Sequence, residues 1–82
     1  MGKVLGKYLA GKRDKTGLSQ SAVAKKMGWT SSQFVSNIER GVARPPMRSA
    51  KKYCRAVKAS PIDVRNMWVK EVIAEIDKVF GV

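Results

Sequence analysis

The chain has 82 residues, with 17 Lys and Arg against six Asp and Glu, no His and a single Cys. A domain of this length buries only about 60–65% of its unfolded surface, which argues against a deep catalytic cleft, and without His or paired Cys there is no imidazole base, no cysteine zinc site and no internal disulfide. The formal charge of +11 predicts a polyanionic partner, of which nucleic acid is the simplest.

The first predicted helix covers about residues 3–15, because apolar residues recur there at i, i+3 and i+4. Gly6 and Gly11 each weaken this helix by up to ~1 kcal/mol relative to Ala, so packing against other elements has to hold it. Gly17 suits the left-handed position that ends a helix.

Two short helices follow. Ser19 is a good N-cap for a second helix over Gln20–Met27, which Gly28 ends. A hydroxyl-rich turn leads into a third helix that runs from about Ser32 to Glu39 or Arg40.

The fourth helix is predicted to begin near Pro46, since proline is tolerated in a first turn. Its apolar stripe is Met47, Ala50, Cys54 and Val57. Its basic face is Arg48, Lys51, Lys52, Arg55 and Lys58. The Ser60-Pro61 pair then starts a fifth helix that could reach Phe80. Five helices without β-type alternation predict an all-α domain, with helix-turn-helix as the obvious supersecondary candidate.

Residues 18–46, LSQSAVAKKMGWTSSQFVSNIERGVARPP, resemble the helix-turn-helix of the phage Cro and repressor (XRE-like) family of transcription regulators. Gln20 lies near the start of the first motif helix, Ala24 takes the small position between the helices, and Gly28 takes the turn. The resemblance covers about residues 5–64. It implies a lambda-repressor-like, five-helix DNA-binding domain, here with an extended C-terminal helix.

The spacing departs from the commoner family pattern by one residue between Gly28 and Glu39, and we expect the extra residue in the turn at Trp29-Thr30. Counting back from Glu39 makes Val35 and Ile38 core residues, which is the register we favour. Counting from Gly28 would instead make Phe34 a core residue and shift the exposed set by one.

The resemblance places the third helix, about residues 32–40, in the major groove as a recognition helix. Gln and Asn match adenine there through a paired donor and acceptor. We therefore predict base contacts from Ser32, Gln33, Ser36 and Asn37. We predict phosphate contacts from Gln20, Ser31, Arg40 and Arg44. The simpler alternatives are that Ser31 only caps the helix and that Gln33 and Asn37 are only solvated. Glu39 is interpreted as structural, pairing with a nearby Arg.

Charge divides the single domain into a helix-turn-helix body over residues 1–60, with a net charge of +12, and a tail over residues 61–82, with −1. The tail has more apolar residues than one helix can cover on a small domain. We predict a dimer seam of Val69, Val72, Ile76 and Val79. The residues predicted to face the body are Trp68, Ile73 and Phe80. In the alternative, the whole tail packs on the first and fourth helices of its own chain.

These features predict a sequence-specific regulator of double-stranded DNA that acts as a homodimer on a pseudo-palindromic site, with half-sites ~34 Å apart. We expect no enzymatic activity, cofactor, metal, small-molecule ligand or membrane segment, and a cytoplasmic location in a bacterium or phage host. The alternative is an interaction protein, antitoxin-like or accessory, that uses the same fold to bind a protein partner and nucleic acid without specificity. An RNA-binding module is disfavoured because the chain has few aromatic residues.

Overall fold

The computed structural model describes residues 2–82, so only Met1 of the predicted body lies outside it. Over these residues the chain forms five α-helices and a short 3-10 turn, and no strand, which confirms the all-α prediction. The helices are α1 (Lys3–Thr16), α2 (Gln20–Met27), α3 (Gln33–Glu39), α4 (Ala50–Val57) and α5 (Pro61–Phe80). None of the helices in residues 2–82 combines the length and the apolar character that a membrane crossing would require.

The predicted helix ends are confirmed for α1, α2 and α5. Gly17 and Gly28 adopt left-handed backbone angles, with φ of 76° and 78°, where a side chain would be strained. The hydroxyls of Ser19 and Ser60 each accept a hydrogen bond from the backbone N–H three residues further on. Short-range residue chemistry therefore sets these boundaries.

The start of the fourth helix differs from its prediction. Met47–Ser49 form the 3-10 turn, and α4 begins only at Ala50. Met47, which was predicted to belong to the buried stripe, is 79% exposed because it lies in this turn and outside α4. Of the rest of the stripe, Cys54 and Val57 are buried as predicted, whereas Ala50 is half-buried.

The core lies among α1 to α4 and the first turn of α5. Val35 and Ile38 are fully buried, which confirms the register that counts back from Glu39. The buried residues are Leu5, Leu9, Val23, Ala24, Met27, Val35, Ile38, Tyr53, Cys54, Val57, Ala59 and Val64. Because the core has so few large side chains, a single substitution there should lower the stability of the fold strongly.

The longer turn between α2 and α3 is held by aromatic packing. The backbone N–H of Trp29 donates to the carbonyl of Ala24 at 2.9 Å, which fixes the start of the turn. The indole of Trp29 lies 4.6 Å from the Phe34 ring and 5.9 Å from the Tyr53 ring, measured between centroids. Phe34 is half-buried at the edge of the core, so the extra turn residue is accommodated without moving Val35 out of it.

Helix α1 approaches the end of α3 at backbone contact distance. A Cβ at Gly6 would overlap the carbonyl oxygen of Ile38 and lie 2.7 Å from that of Glu39. Gly41 has a φ of 77°, and a Cβ there would lie 2.7 Å from the backbone nitrogen of Lys3. Two glycines thus permit the contact that positions α3 on the body.

Candidate nucleic-acid interface

The outer face of α3 presents the polar residues predicted to read bases. Gln33 is exposed, Ser36 and Asn37 are half-buried, and all three lie on the side opposite Val35 and Ile38. Ser32 immediately precedes α3 and is half-buried at its N-cap position. The structure therefore brings all four predicted base-contacting residues to one end or face of a single short helix.

Hydrogen bonds organise this face. The Nε2 of Gln33 donates to the Oδ1 of Asn37 at 3.0 Å, and the Nη2 of Arg40 donates to the same oxygen at 2.6 Å. Both lone pairs of the Asn37 carbonyl oxygen are thereby used, which leaves that amide with N–H donors only. Gln33 keeps its carbonyl oxygen and one N–H, the donor–acceptor pair that matches adenine. Arg40 thus lies beside the amides as well as at the end of α3.

A shallow depression adjoins the start of α3. Its volume is about 240 Å³, and Lys25, Thr30 and Ser31 contribute polar groups to its lining. The Oγ of Ser31 accepts the N–H of Gln33 at 3.3 Å, so the hydroxyl hydrogen of Ser31 is still free to donate. Lys25 was not among the predicted phosphate contacts. The sequence indicated a phosphate contact from Lys25 only through its position, one turn before Gly28 on the exposed side of α2.

Gln20, predicted to contact phosphate, donates a hydrogen bond from Nε2 to the Oε1 of Glu39 at 2.9 Å. Glu39 also accepts from the Nε and Nη2 of Arg13, at 2.6 and 3.1 Å, which confirms its structural role. Its side chain is only 7% exposed. The hydrogen bond to Glu39 raises the pKa of Arg13. Three helices meet at this carboxylate, so Gln20 positions α3 and has one N–H and its carbonyl left for other partners.

Arg44 requires a correction, because its side chain does not face solvent. Its guanidinium lies 3.5 Å from Glu71 and makes a closer ion pair with Glu75 on α5, and its side chain is 14% exposed. Glu71 in turn accepts the N–H groups of Val4 and Leu5 at 3.0 and 3.3 Å. A guanidinium enclosed by two carboxylates is not available to phosphate, so Arg44 docks α5 on the body.

Beyond this docking face, α5 carries an exposed apolar stripe. Trp68 is half-buried against the body as predicted, but Ile73 and Phe80 are 53% and 75% exposed, so the prediction that they face the body is wrong. Val72, placed in the predicted seam, is half-buried. We name as the α5 stripe the exposed residues that recur every three to four positions: Ile62, Asn66, Val69, Ile73, Ile76 and Phe80.

The predicted seam and the α5 stripe overlap in part. Val69 and Ile76 belong to both, whereas Val79 is 81% exposed and flanks the stripe. The stripe lies on the side of α5 opposite Glu71 and Glu75, which contact the body. The intramolecular alternative therefore accounts for one face of α5 and leaves the other face open.

Comparison with known proteins adds one match. A family model described as helix-turn-helix matches residues 9–64, about two thirds of the chain. The matched segment runs from the middle of α1 into the first turn of α5 and contains the whole α2–turn–α3 unit. No curated protein and no solved structure matches the chain.

Proposed function

Because the chain belongs to the Cro/C1-like helix-turn-helix family of DNA-binding transcription regulators, we propose that it recognises a specific duplex site by inserting α3 into the major groove, and that it does so as a homodimer. Recognition of the duplex by α3 is supported by one observation: the outer face of α3 is polar, while its opposite face is fully buried. Such a helix can enter the groove as a rigid unit.

Base reading is divided between the two amides. Gln33 offers a donor and an acceptor, which favours adenine, whereas Asn37 offers only donors while Gln33 and Arg40 occupy its oxygen. Donors favour the acceptor-rich edge of guanine. Ser32 and Ser36 are short and suit direct or water-mediated contacts beside the amides.

Phosphate contacts then come from the ends of the motif. Ser31 and Lys25 lie around the depression at the start of α3, and Arg40 lies at its end. Gln20 keeps a partial role through its remaining amide groups. These contacts fix the register of α3 on the duplex and make affinity fall with salt, but they carry no sequence information.

Dimerisation is assigned to the α5 stripe. Val69, Ile73, Ile76 and Phe80 are spaced alternately by four and three residues, which is the repeat of a helix-pairing seam. An apolar seam on an already docked helix has no further surface of its own chain to cover, whereas a second copy offers an identical one. Asn66 is the polar member of the seam, a residue type that restricts register.

In vitro selection from a random duplex pool with the full chain tests the proposal. We expect an enriched motif with two related half-sites. Gln33→Ala should weaken binding to that motif by about 1–3 kcal/mol and relax preference at one position, whereas Lys25→Ala should weaken all duplexes alike. An equal loss for Gln33→Ala on random duplex, or the absence of any motif, would contradict base reading by α3.

The dimer has a separate test. In sedimentation equilibrium, Ile76→Asp should shift the protein to monomer. Ala74→Asp introduces the same charge at an exposed position off the stripe, and this control should leave the dimer intact. If the wild type stays monomeric at high concentration and on its selected site, the dimer is wrong while recognition by α3 still stands.

A further inference from the structure

An apolar groove runs between α4 and the first half of α5, away from the polar face of α3. It has a volume of about 430 Å³. Its apolar lining is Met47, Ala50, Cys54, Pro61, Val64, Trp68 and Val69, and Val69 is the one residue that it shares with the α5 stripe. Met47 projects from the 3-10 turn at one end and is 79% exposed, so apolar surface remains uncovered there.

The groove is bordered by positive charge. Lys51 of α4 and Arg65 of α5 line it directly. Further exposed cations stand on the outer side of α4 and its preceding turn: Arg48, Lys52, Arg55 and Lys58. The ion pairs in residues 2–82 involve only Arg13 and Arg44 among the cations, so the charges around the groove are uncompensated.

The combination of an apolar floor and a cationic border restricts what can bind. A nucleic acid backbone would satisfy the cations but would leave the apolar floor without apolar partners. A purely apolar segment would cover the floor of the groove but would leave the cations without anionic partners. An amphipathic helix with apolar side chains on one face and carboxylates along its edges satisfies both, in the helix-in-groove mode of recognition.

A second copy of this chain cannot supply such a helix. Of its six acidic residues, Glu39 is bound by Arg13, and Glu71 and Glu75 are bound by Arg44. The remaining acids, Asp14, Asp63 and Asp77, are scattered over α1 and the two ends of α5. Within residues 2–82, therefore, no helix offers the complementary charge.

We propose that this groove is a docking site for an acidic amphipathic helix of a partner protein. Apolar side chains of that helix would pack on Met47 and Trp68, and its carboxylates would pair with Lys51 and Arg65. None of the residues that line the groove belongs to α3, so a helix bound there would leave the polar face of α3 uncovered. The inference does not depend on the sequence-specific role of α3.

Two synthetic peptides test the site on the full chain. Each has about 18 residues, long enough to form a helix, with Leu at i, i+3, i+4 and i+7. One peptide carries Glu at the remaining positions and the other carries Lys. Binding is measured by calorimetry and mapped by amide chemical shifts. We expect the Glu peptide to bind, with shifts confined to residues 47–69, and the Lys peptide not to bind.

Substitutions distinguish binding of the Glu peptide in the groove from its general attraction to a basic protein. Ala50→Trp fills the groove and should weaken the Glu peptide by about tenfold or more, while binding to random duplex is unchanged. Lys51→Glu combined with Arg65→Glu should weaken it about as much. Lys70→Glu combined with Lys78→Glu reverses two exposed charges on α5 outside the groove lining, and this matched control should have little effect. Amide spectra establish that each variant is folded, and the two groove variants test the site independently.

Three results would overturn the proposal. Equal binding of the Glu and Lys peptides would mean apolar adhesion only. Shifts on α3, with displacement by duplex DNA, would mean that the acidic peptide imitates nucleic acid. Loss of self-association in Ala50→Trp would mean that a second copy occupies the groove.

Discussion

Two glycines in the same helix should respond in opposite directions to the same substitution. Gly6 and Gly11 both lie in α1, and both become Ala in the test. A Cβ at Gly6 overlaps backbone carbonyls at the end of α3. A Cβ at Gly11 meets no atom of residues 2–82 within 4 Å apart from its chain neighbours and the backbone of its own helix. Backbone atoms cannot rotate away as a flexible side chain can, so Gly6→Ala has to push α1 and α3 apart.

The magnitude follows from two contributions. Replacing Gly by Ala inside a helix stabilises it by about 0.5–1 kcal/mol, and this gain is common to both variants. Overpacking in a filled interior costs about 1–3 kcal/mol, and only Gly6→Ala incurs it. The helix-propensity gain cancels in the comparison, so Gly11→Ala should be the more stable variant by about 1–3 kcal/mol. A difference of about 2 kcal/mol corresponds to about 8–16 °C in Tm for a domain of this size.

Urea denaturation followed by circular dichroism measures both free energies of unfolding. Duplex binding is measured in parallel, because movement of α3 should reduce the affinity of Gly6→Ala while Gly11→Ala binds as the wild type does. Equal free energies of unfolding for Gly6→Ala and Gly11→Ala would mean that α1 does not contact the end of α3 at backbone distance.

Three further outcomes are expected. Arg13→Ala and Glu39→Ala should each destabilise the fold by about 3 kcal/mol, because each removes the oppositely charged partner of a buried group. Urea denaturation of the double variant should show a loss of stability well below the sum of the two single losses. The hydrogen bond from Arg44 lowers the pKa of Glu75 below its ordinary 4.5. The ion pair with Arg44 therefore stabilises the fold above pH 4.5, and this contribution is lost as the pH falls through the lowered pKa of Glu75 in the folded state. In Glu75→Gln, denaturation curves between pH 3 and 7 should no longer show this loss of stability. Tyr53→Phe should change the free energy of unfolding by less than about 1 kcal/mol, because the buried hydroxyl of Tyr53 has no hydrogen-bond partner within residues 2–82 to lose. A large destabilisation in the same assay would contradict this expectation.

Local chemistry determined much of this molecule. Helix ends at Ser19, Gly28 and Ser60 follow from capping and left-handed glycine, which act within a few residues and can be read from the chain directly. The spacing of Val35 and Ile38 also identified the buried face of α3. That face in turn specified which polar residues are exposed, and hence the candidate base-reading set.

Tertiary structure alone decided which partners the charged side chains have. Arg44 was assigned to phosphate because it follows the recognition helix, and nothing local indicates that Glu71 and Glu75, some thirty residues away, enclose it. The same applies to Gln20, whose amide is held by Glu39 across the motif. Long-range pairing depends on how helices cross, which a periodic pattern does not encode.

The tail shows both levels together. Its sequence established an apolar, near-neutral helix over the last twenty residues or so, beginning at Ser60-Pro61. Two sets of contacts decided which way that helix faces. The carboxylate of Glu71 accepts the N–H groups of Val4 and Leu5 in the first turn of α1, and Arg44 forms ion pairs with Glu71 and Glu75. Because these contacts orient α5, the open stripe contains Ile73 and Phe80 in place of Val72. Two of the carboxylates that make the tail near-neutral, Glu71 and Glu75, thus dock it on the basic body.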